Sequence, residues 1–278
     1  MKVVIALLVL ETVNSLYLVH PRFWNYDKIN WTNYTACVNG KAQSPINIVT
    51  TTTIPLPKKM HKPEFYNTKT KGPVTVWNSG RTVTINGFEQ WPYLTKPYLM
   101  DETGKKFLLF RMHLHWLYSE SIVGNGSEHS IDDVKHNGEI HLAFRYDDDE
   151  MDLGEALESG NVRMVSVFFD VKQRRDHQLF VMTDLDYALT LITKYDDMSE
   201  MVQFSVDPIL KNVNGGMFIY NGSLTTPNCK EGIRWYVTKV PVAVAQYQME
   251  LLKHIKHVDN SRNSRPQQDV NDRIIYNV

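Results

Sequence analysis

The sequence predicts one mainly β domain, of the α+β kind, with small helices at its periphery. Three features carry this expectation. The 278 residues are 42% hydrophobic and 22% charged, the profile of a globular chain with enough apolar matter for a sizeable core. Short β-branched and aromatic stretches recur between turn signals along most of the length. No internal repeat, low-complexity tract or charged linker divides the chain.

The strands follow in order. Residues 74–77 (VTVW) and 82–85 (TVTI) are β-branched and flank the turn residues Asn78-Ser79-Gly80. Residues 107–118 and 139–146 alternate, 163–171 (RMVSVFFDV) is nearly continuous in apolar residues, and 233–239 (IRWYVTK) is again β-rich. Helical spacing is confined to 179–195 and to 244–254, which follows Pro241 and is rich in Gln, Met and Leu.

The N-terminus reads as an export signal. Met1-Lys2 is positive and residues 3–10 (VVIALLVL) form an apolar run too short to span a bilayer. Val13 and Ser15 supply small residues, so residues 1–18 are expected to be a leader cleaved roughly between 15 and 20, leaving 19–278 as the mature, secreted domain. No later stretch has the length of a membrane span, and RIIYNV lacks the tail of a lipid-anchor signal. With 30 Lys+Arg against 31 Asp+Glu there is no basic excess for a nucleic-acid backbone. Asn30-Trp31-Thr32, Asn33-Tyr34-Thr35, Asn125-Gly126-Ser127 and Asn221-Gly222-Ser223 fit the glycan acceptor pattern of an exported glycoprotein. Cys37 and Cys229 either form one bridge closing nearly the whole domain or remain two free thiols.

Alternate side chains of a strand face opposite ways. In 107–118 this places Leu108, Phe110, Met112, Leu114, Trp116 and Tyr118 on one face, and Arg111, His113 and His115 on the other. The two imidazoles are then about 7 Å apart along the strand. In 139–146, Ile140, Leu142, Phe144 and Tyr146 oppose Glu139 and His141. Three neutral histidines on rigid strands suit a catalytic zinc, which takes three protein nitrogens and keeps its fourth position for water; histidines scattered by chance remain the alternative. There is no HExxH helix motif, no GxSxG elbow and no GxxxxGK[ST] loop.

Four ordered segments resemble the α-class carbonic anhydrases: Gln43-Ser44-Pro45-Ile46-Asn47-Ile48; His113-Leu114-His115-Trp116; Gly126-Ser127-Glu128-His129 running on to Glu139-Ile140-His141-Leu142; and Gly222-Ser223-Leu224-Thr225-Thr226-Pro227. Trp24-Asn25-Tyr26, Trp31 and Ser264-Arg265-Pro266-Gln267 extend the likeness over residues 23–276. The resemblance implies a large, mostly antiparallel twisted sheet with zinc at the base of a conical cleft. His113, His115 and His141 would be the ligands and Glu139 the acceptor for a ligand imidazole. Zinc hydroxide would attack carbon dioxide, giving bicarbonate and a proton. Thr225 would accept the hydroxide's hydrogen bond and donate its own to Glu128. Tyr26, His129, Tyr220 and Thr226 would support the site. Ala143, Met164, Leu224, Ile233 and Trp235, each of which otherwise reads as core, would line the carbon dioxide pocket.

Secreted members of the family place their single disulfide where Cys37 and Cys229 fall. Sulfonamide-type anionic inhibitors are the implied ligands besides carbon dioxide and bicarbonate. The chain also departs from the family pattern. Arg81 occupies the position of the proton-shuttling histidine, and Arg111 stands where Gln is usual. Met164 replaces Val, Asn228 replaces Pro, and the stretch from His115 to Glu128 is longer than in compact members. The alternative function is a carbonic-anhydrase-like binding or adhesion module with weak or no catalysis.

Overall fold

A computed structural model describes residues 26, 31–117, 126–148, 151–172, 183–211, 213–257 and 263–278. The leader, Asn30, Asn125 and Tyr118 lie outside the described residues.

A 13-stranded, mostly antiparallel sheet dominates. Ten strands form its spine: β1 (Ile54–Pro55), β2 (Gly72–Asn78), β3 (Val83–Asn86), β4 (Lys106–Trp116), β5 (Gly138–Tyr146), β6 (Val162–Val171), β7 (Met198–Phe204), β8 (Met217–Ser223), β9 (Glu231–Thr238) and β10 (Tyr276–Asn277). Their order across the sheet is β7-β2-β3-β4-β5-β6-β9-β8-β10-β1. The β6–β9 pair is parallel, which places residues 71 positions apart in sequence side by side at the sheet centre.

Both faces of the sheet are packed. Met112, Leu114, Trp116, Ile140, Leu142, Phe144, Val165 and Val167 bury one face. Ala143, Met164, Phe168, Tyr220, Ile233 and Trp235 bury the other. Alternation holds through β5, but it slips in β4. Phe107 and Leu109, not Leu108 and Phe110, join Met112, Leu114 and Trp116 in the first core. The cause is a bulge between Leu109 and Arg111, where one extra residue reverses the facing of everything before it. Phe110 packs instead against the second core.

Among the described residues the helices are short. Residues 179–182 lie outside the described residues; from there the chain makes a 3-10 turn (Thr183–Leu185) and a helix (Asp186–Leu191) that stops short of 195, where Asn78 Nδ2 donates to the Ile192 carbonyl at 3.2 Å. At 244–254 the helix starts only at Gln246, because Val242–Val244 runs as a strand parallel to β6. Gln248 reaches back to the Ala245 N–H at 3.0 Å and closes the first turn. Cys37 and Cys229 are joined in a disulfide that clamps the N-terminal segment to the loop after β8.

Candidate metal centre

Pairing of β4 with β5 sets His113 opposite His141 and His115 opposite Glu139. Gly138 permits the close approach at the start of β5, since a Cβ there would meet the Phe169 ring at 2.0 Å and the His115 carbonyl at 2.5 Å. His141 Nδ1 consequently lies 3.1 Å from His115 Nε2 and 3.2 Å from His113 Nε2.

The outer nitrogens of two rings decide what these short contacts mean. His115 Nδ1 donates to the Asn263 carbonyl, and His141 Nε2 donates to Glu139 Oε1 at 2.6 Å. A neutral imidazole with its proton on one nitrogen has a lone pair on the other. His115 Nε2 and His141 Nδ1 are therefore two acceptors facing one another, an arrangement that a cation between them would satisfy. Tetrahedral zinc with bonds of 2.0–2.1 Å separates its ligand nitrogens by about 3.3 Å, so the triad fits such an ion. Burial pushes the pKa of all three rings down, His113 well below 6.5 and His115 to about 4, which keeps them neutral and able to ligate.

Glu139 is the hub behind His141. Burial alone would raise its pKa, but His129 and His141 hold it well below the usual carboxylate range. Its Oε1 accepts from His129 Nδ1, His141 Nε2 and Ser166 Oγ, each at 2.6 Å, and its Oε2 accepts from the His129 backbone N–H at 2.8 Å. His129 Nε2 in turn meets the Tyr220 hydroxyl at 2.7 Å, which meets Ser44 Oγ at 2.7 Å. Tyr26 is buried with its ring edge-on to His115, 6.4 Å between centroids.

Glu128 is fully buried, with Oε2 3.5 Å from His115 Nε2 and 3.9 Å from His141 Nδ1. Burial raises its pKa, while the Arg265 N–H, donated to Oε1 at 2.7 Å, and the Thr225 side chain favour the anion. Thr225 is buried and Thr226 half-buried in the loop after β8, where the Cys229 N–H closes onto the Thr226 carbonyl at 2.8 Å.

Ala143, Met164, Ile233 and Trp235 share one buried cluster, with Leu224 packed against it. Met164 stands between Ala143 and Trp235 in register, and the Trp235 ring is 4.8 Å from that of His141. The apolar wall thus adjoins the triad. Arg81 is buried in the turn after β2, where the Gly80 N–H closes onto Asn78 Oδ1 at 2.9 Å. His136 is held by Asp170 at 2.9 Å and stacks on Phe168.

Two contributors escaped sequence reasoning. Asn263, which holds His115, adjoins the Ser264-Arg265-Pro266-Gln267 segment but lies 148 residues from its partner. Ser166 is the one polar residue between Met164 and Phe169 in β6, a signal that parity could have used.

Neutral burial has a consequence for stability. His115 binds a proton more readily unfolded than folded, so in zinc-free protein its contribution is complete above about pH 6.5 and is lost as pH falls toward about 4. The linkage amounts to roughly 3 kcal/mol for this ring. Urea unfolding of chelator-treated protein is expected to show a lower midpoint at about pH 4.5 than at about pH 7.5, with the dependence flattened in His115→Asn. An unchanged midpoint would contradict neutral burial.

A sheet that turns three imidazoles toward one point, with a carboxylate and a threonine beside them and an apolar wall adjoining, defines a β protein with a three-histidine group that could hold a cation. The chain matches the model of eukaryotic-type carbonic anhydrases over residues 26–278 and belongs to that family. It is 30% identical over 261 residues to putative carbonic anhydrase 5 of Caenorhabditis elegans, covering 91% of this chain and 80% of that protein. It is 25% identical over 258 residues to human carbonic anhydrase 6, covering 86% of this chain and 78% of that protein. It is also 26% identical over 264 residues to the receptor-type tyrosine-protein phosphatase zeta of Rattus norvegicus, covering 88% of this chain but only 10% of that protein.

Proposed function

We propose that the chain is a secreted zinc enzyme that interconverts carbon dioxide and bicarbonate. The observation that carries the reading is the pair of lone-pair nitrogens on His115 and His141, locked by Asn263 and Glu139 and turned toward a common point. His113, His115 and His141 would hold the ion. Bound there, zinc supplies the positive charge that makes hydroxide available near neutral pH. Thr225, whose side chain hydrogen-bonds Glu128, would accept a hydrogen bond from the nucleophile and orient it toward the substrate. Ala143, Met164, Leu224, Ile233 and Trp235 suit carbon dioxide, which has no charge or dipole to satisfy. Sulfonamide-type anions are expected to compete at the same place. The Cys37–Cys229 disulfide supports an oxidising, extracellular setting, with 1–18 as the leader.

Stopped-flow hydration of carbon dioxide tests the reading. Activity is expected to vanish with chelator and return with zinc. A protein that binds zinc stoichiometrically yet hydrates no carbon dioxide would instead be a binding or adhesion module. That rival draws on the likeness to one segment of a receptor-type phosphatase.

Arg81 sets a second expectation. A guanidinium cannot release a proton near neutral pH, so turnover should be limited by proton exit and should rise with imidazole buffer. Arg81→His is expected to raise kcat several-fold while leaving kcat/KM nearly unchanged, because the nucleophilic step precedes proton release. Buffer-independent turnover and an unchanged kcat would contradict this.

A further inference from the structure

The three imidazoles are not held alike. His115 is fixed through Nδ1 by the Asn263 carbonyl, and Asn263 is itself pinned by its side chain, Oδ1 accepting from the Trp116 N–H at 2.9 Å and Nδ2 donating to the Leu114 carbonyl at 3.0 Å. His141 is fixed through Nε2 by Glu139, which has three further donors. His113 Nδ1 is shut off from solvent and has no hydrogen-bond partner among the described residues.

One reason lies two residues back on the same strand. Arg111 offers only donors, and its Nε donates to Asn86 Oδ1 at 2.9 Å, engaging the acceptor on the neighbouring strand. No described residue accepts from His113 Nδ1, so either tautomer of this ring is open to it. With the proton on Nε2, His113 can donate to His141 Nδ1 across the 3.2 Å contact and withhold its own lone pair from an ion. The guanidinium also carries a positive charge two residues before a ring that is to share its lone pair with a dication.

We propose that His113 is the labile arm of the zinc triad and that Arg111 contributes to this, because the side chain two residues before it on the strand carries donors only and can offer the ring no acceptor. Arg111 thereby favours exchange of the metal over its permanent retention. The inference rests on the triad being a zinc site.

The test is the rate at which zinc-loaded protein surrenders its metal to a chromophoric chelator. Supplying or removing an acceptor behind a ligand histidine changes metal affinity by about 10- to 100-fold. Arg111→Gln, which supplies an amide oxygen, is expected to slow zinc release by about 10-fold or more. Arg111→Met, which removes the charge without adding an acceptor, is expected to slow it by less than about 3-fold.

A second readout needs no comparison of rates. In nitrogen-15 spectra of the zinc-loaded wild type, the ring N–H protons of His115 and His141 should carry the downfield shift of a hydrogen-bonded proton while that of His113 lacks it. All three should be shifted in Arg111→Gln. Zinc release at the wild-type rate in Arg111→Gln, with the His113 proton already shifted in the wild type, overturns this inference and leaves the zinc reading standing. A folded wild-type protein that takes up no zinc overturns both.

Discussion

His141→Ala is expected to lose zinc and carbon dioxide hydration together. The substitution removes one of three nitrogens from the site and leaves the remaining pair without the ring that stands against both of them. Four-ligand zinc sites yield about 10–16 kcal/mol of binding energy near neutral pH, or roughly 2.5 to 4 kcal/mol per ligand, so affinity should fall by about 10²- to 10³-fold. The fold should survive. Glu139 keeps the His129 backbone N–H, His129 Nδ1 and Ser166 Oγ as donors, so no buried carboxylate is left bare. Zinc content after dialysis, with circular dichroism as the control, is the measurement. Full occupancy and full activity in His141→Ala would show that the triad is not the metal site. Glu139→Gln, which keeps the ligand but weakens its partner, should lose only about 10- to 100-fold in affinity.

Loss of the Cys37–Cys229 bridge is expected to be the costliest change away from the metal. The bond spans 192 residues, and closing a loop of that length removes about 5 kcal/mol of chain entropy from the unfolded state. That is a third or more of the 5–15 kcal/mol by which domains of this kind are stable. Cys229 is fully buried beside Tyr26 and Trp31. Its carbonyl accepts from Gln43 Nε2 at 3.1 Å, while Arg265 joins Gln43 Oε1 and the Ser44 carbonyl at 2.9 and 2.7 Å. These contacts anchor the loop carrying Thr225 independently of the bridge, so the effect should fall on stability first. Cys37→Ser/Cys229→Ser should unfold at much lower urea while still binding zinc at low temperature. A non-reducing digest of secreted protein should contain the linked peptides, and two free thiols would refute the bridge.

Much of the architecture was legible from the chain alone. Strands at 74–77, 82–85, 139–146, 163–171 and 233–239 lie within or nearly within β2, β3, β5, β6 and β9, because alternation and β-branching are properties of neighbouring residues. Parity in 139–146 correctly separated Ile140, Leu142 and Phe144 from Glu139 and His141. The same reasoning misplaced Leu108 and Phe110, since a bulge is created by the mismatch of two paired strands and leaves no mark in either one. The helix expected from residue 244 failed at its start for a similar reason: Val242–Val244 has a free strand edge to pair with on β6, and that partner lies more than 70 residues earlier.

What the sequence determined by itself was the chemical inventory and its local facing: which residues could ligate, which were apolar, and which shared a strand face, all fixed by spacings of two residues. Only the tertiary structure decided the register that sets His113 against His141 and the protonation pattern of the rings. Tautomers follow from partners, and the partners are remote in sequence: Asn263 lies 148 residues from His115, while His113 Nδ1 meets no partner among the described residues. A periodicity can place an imidazole on a face, but which of its nitrogens carries the proton depends on atoms that meet it only when the sheet has closed.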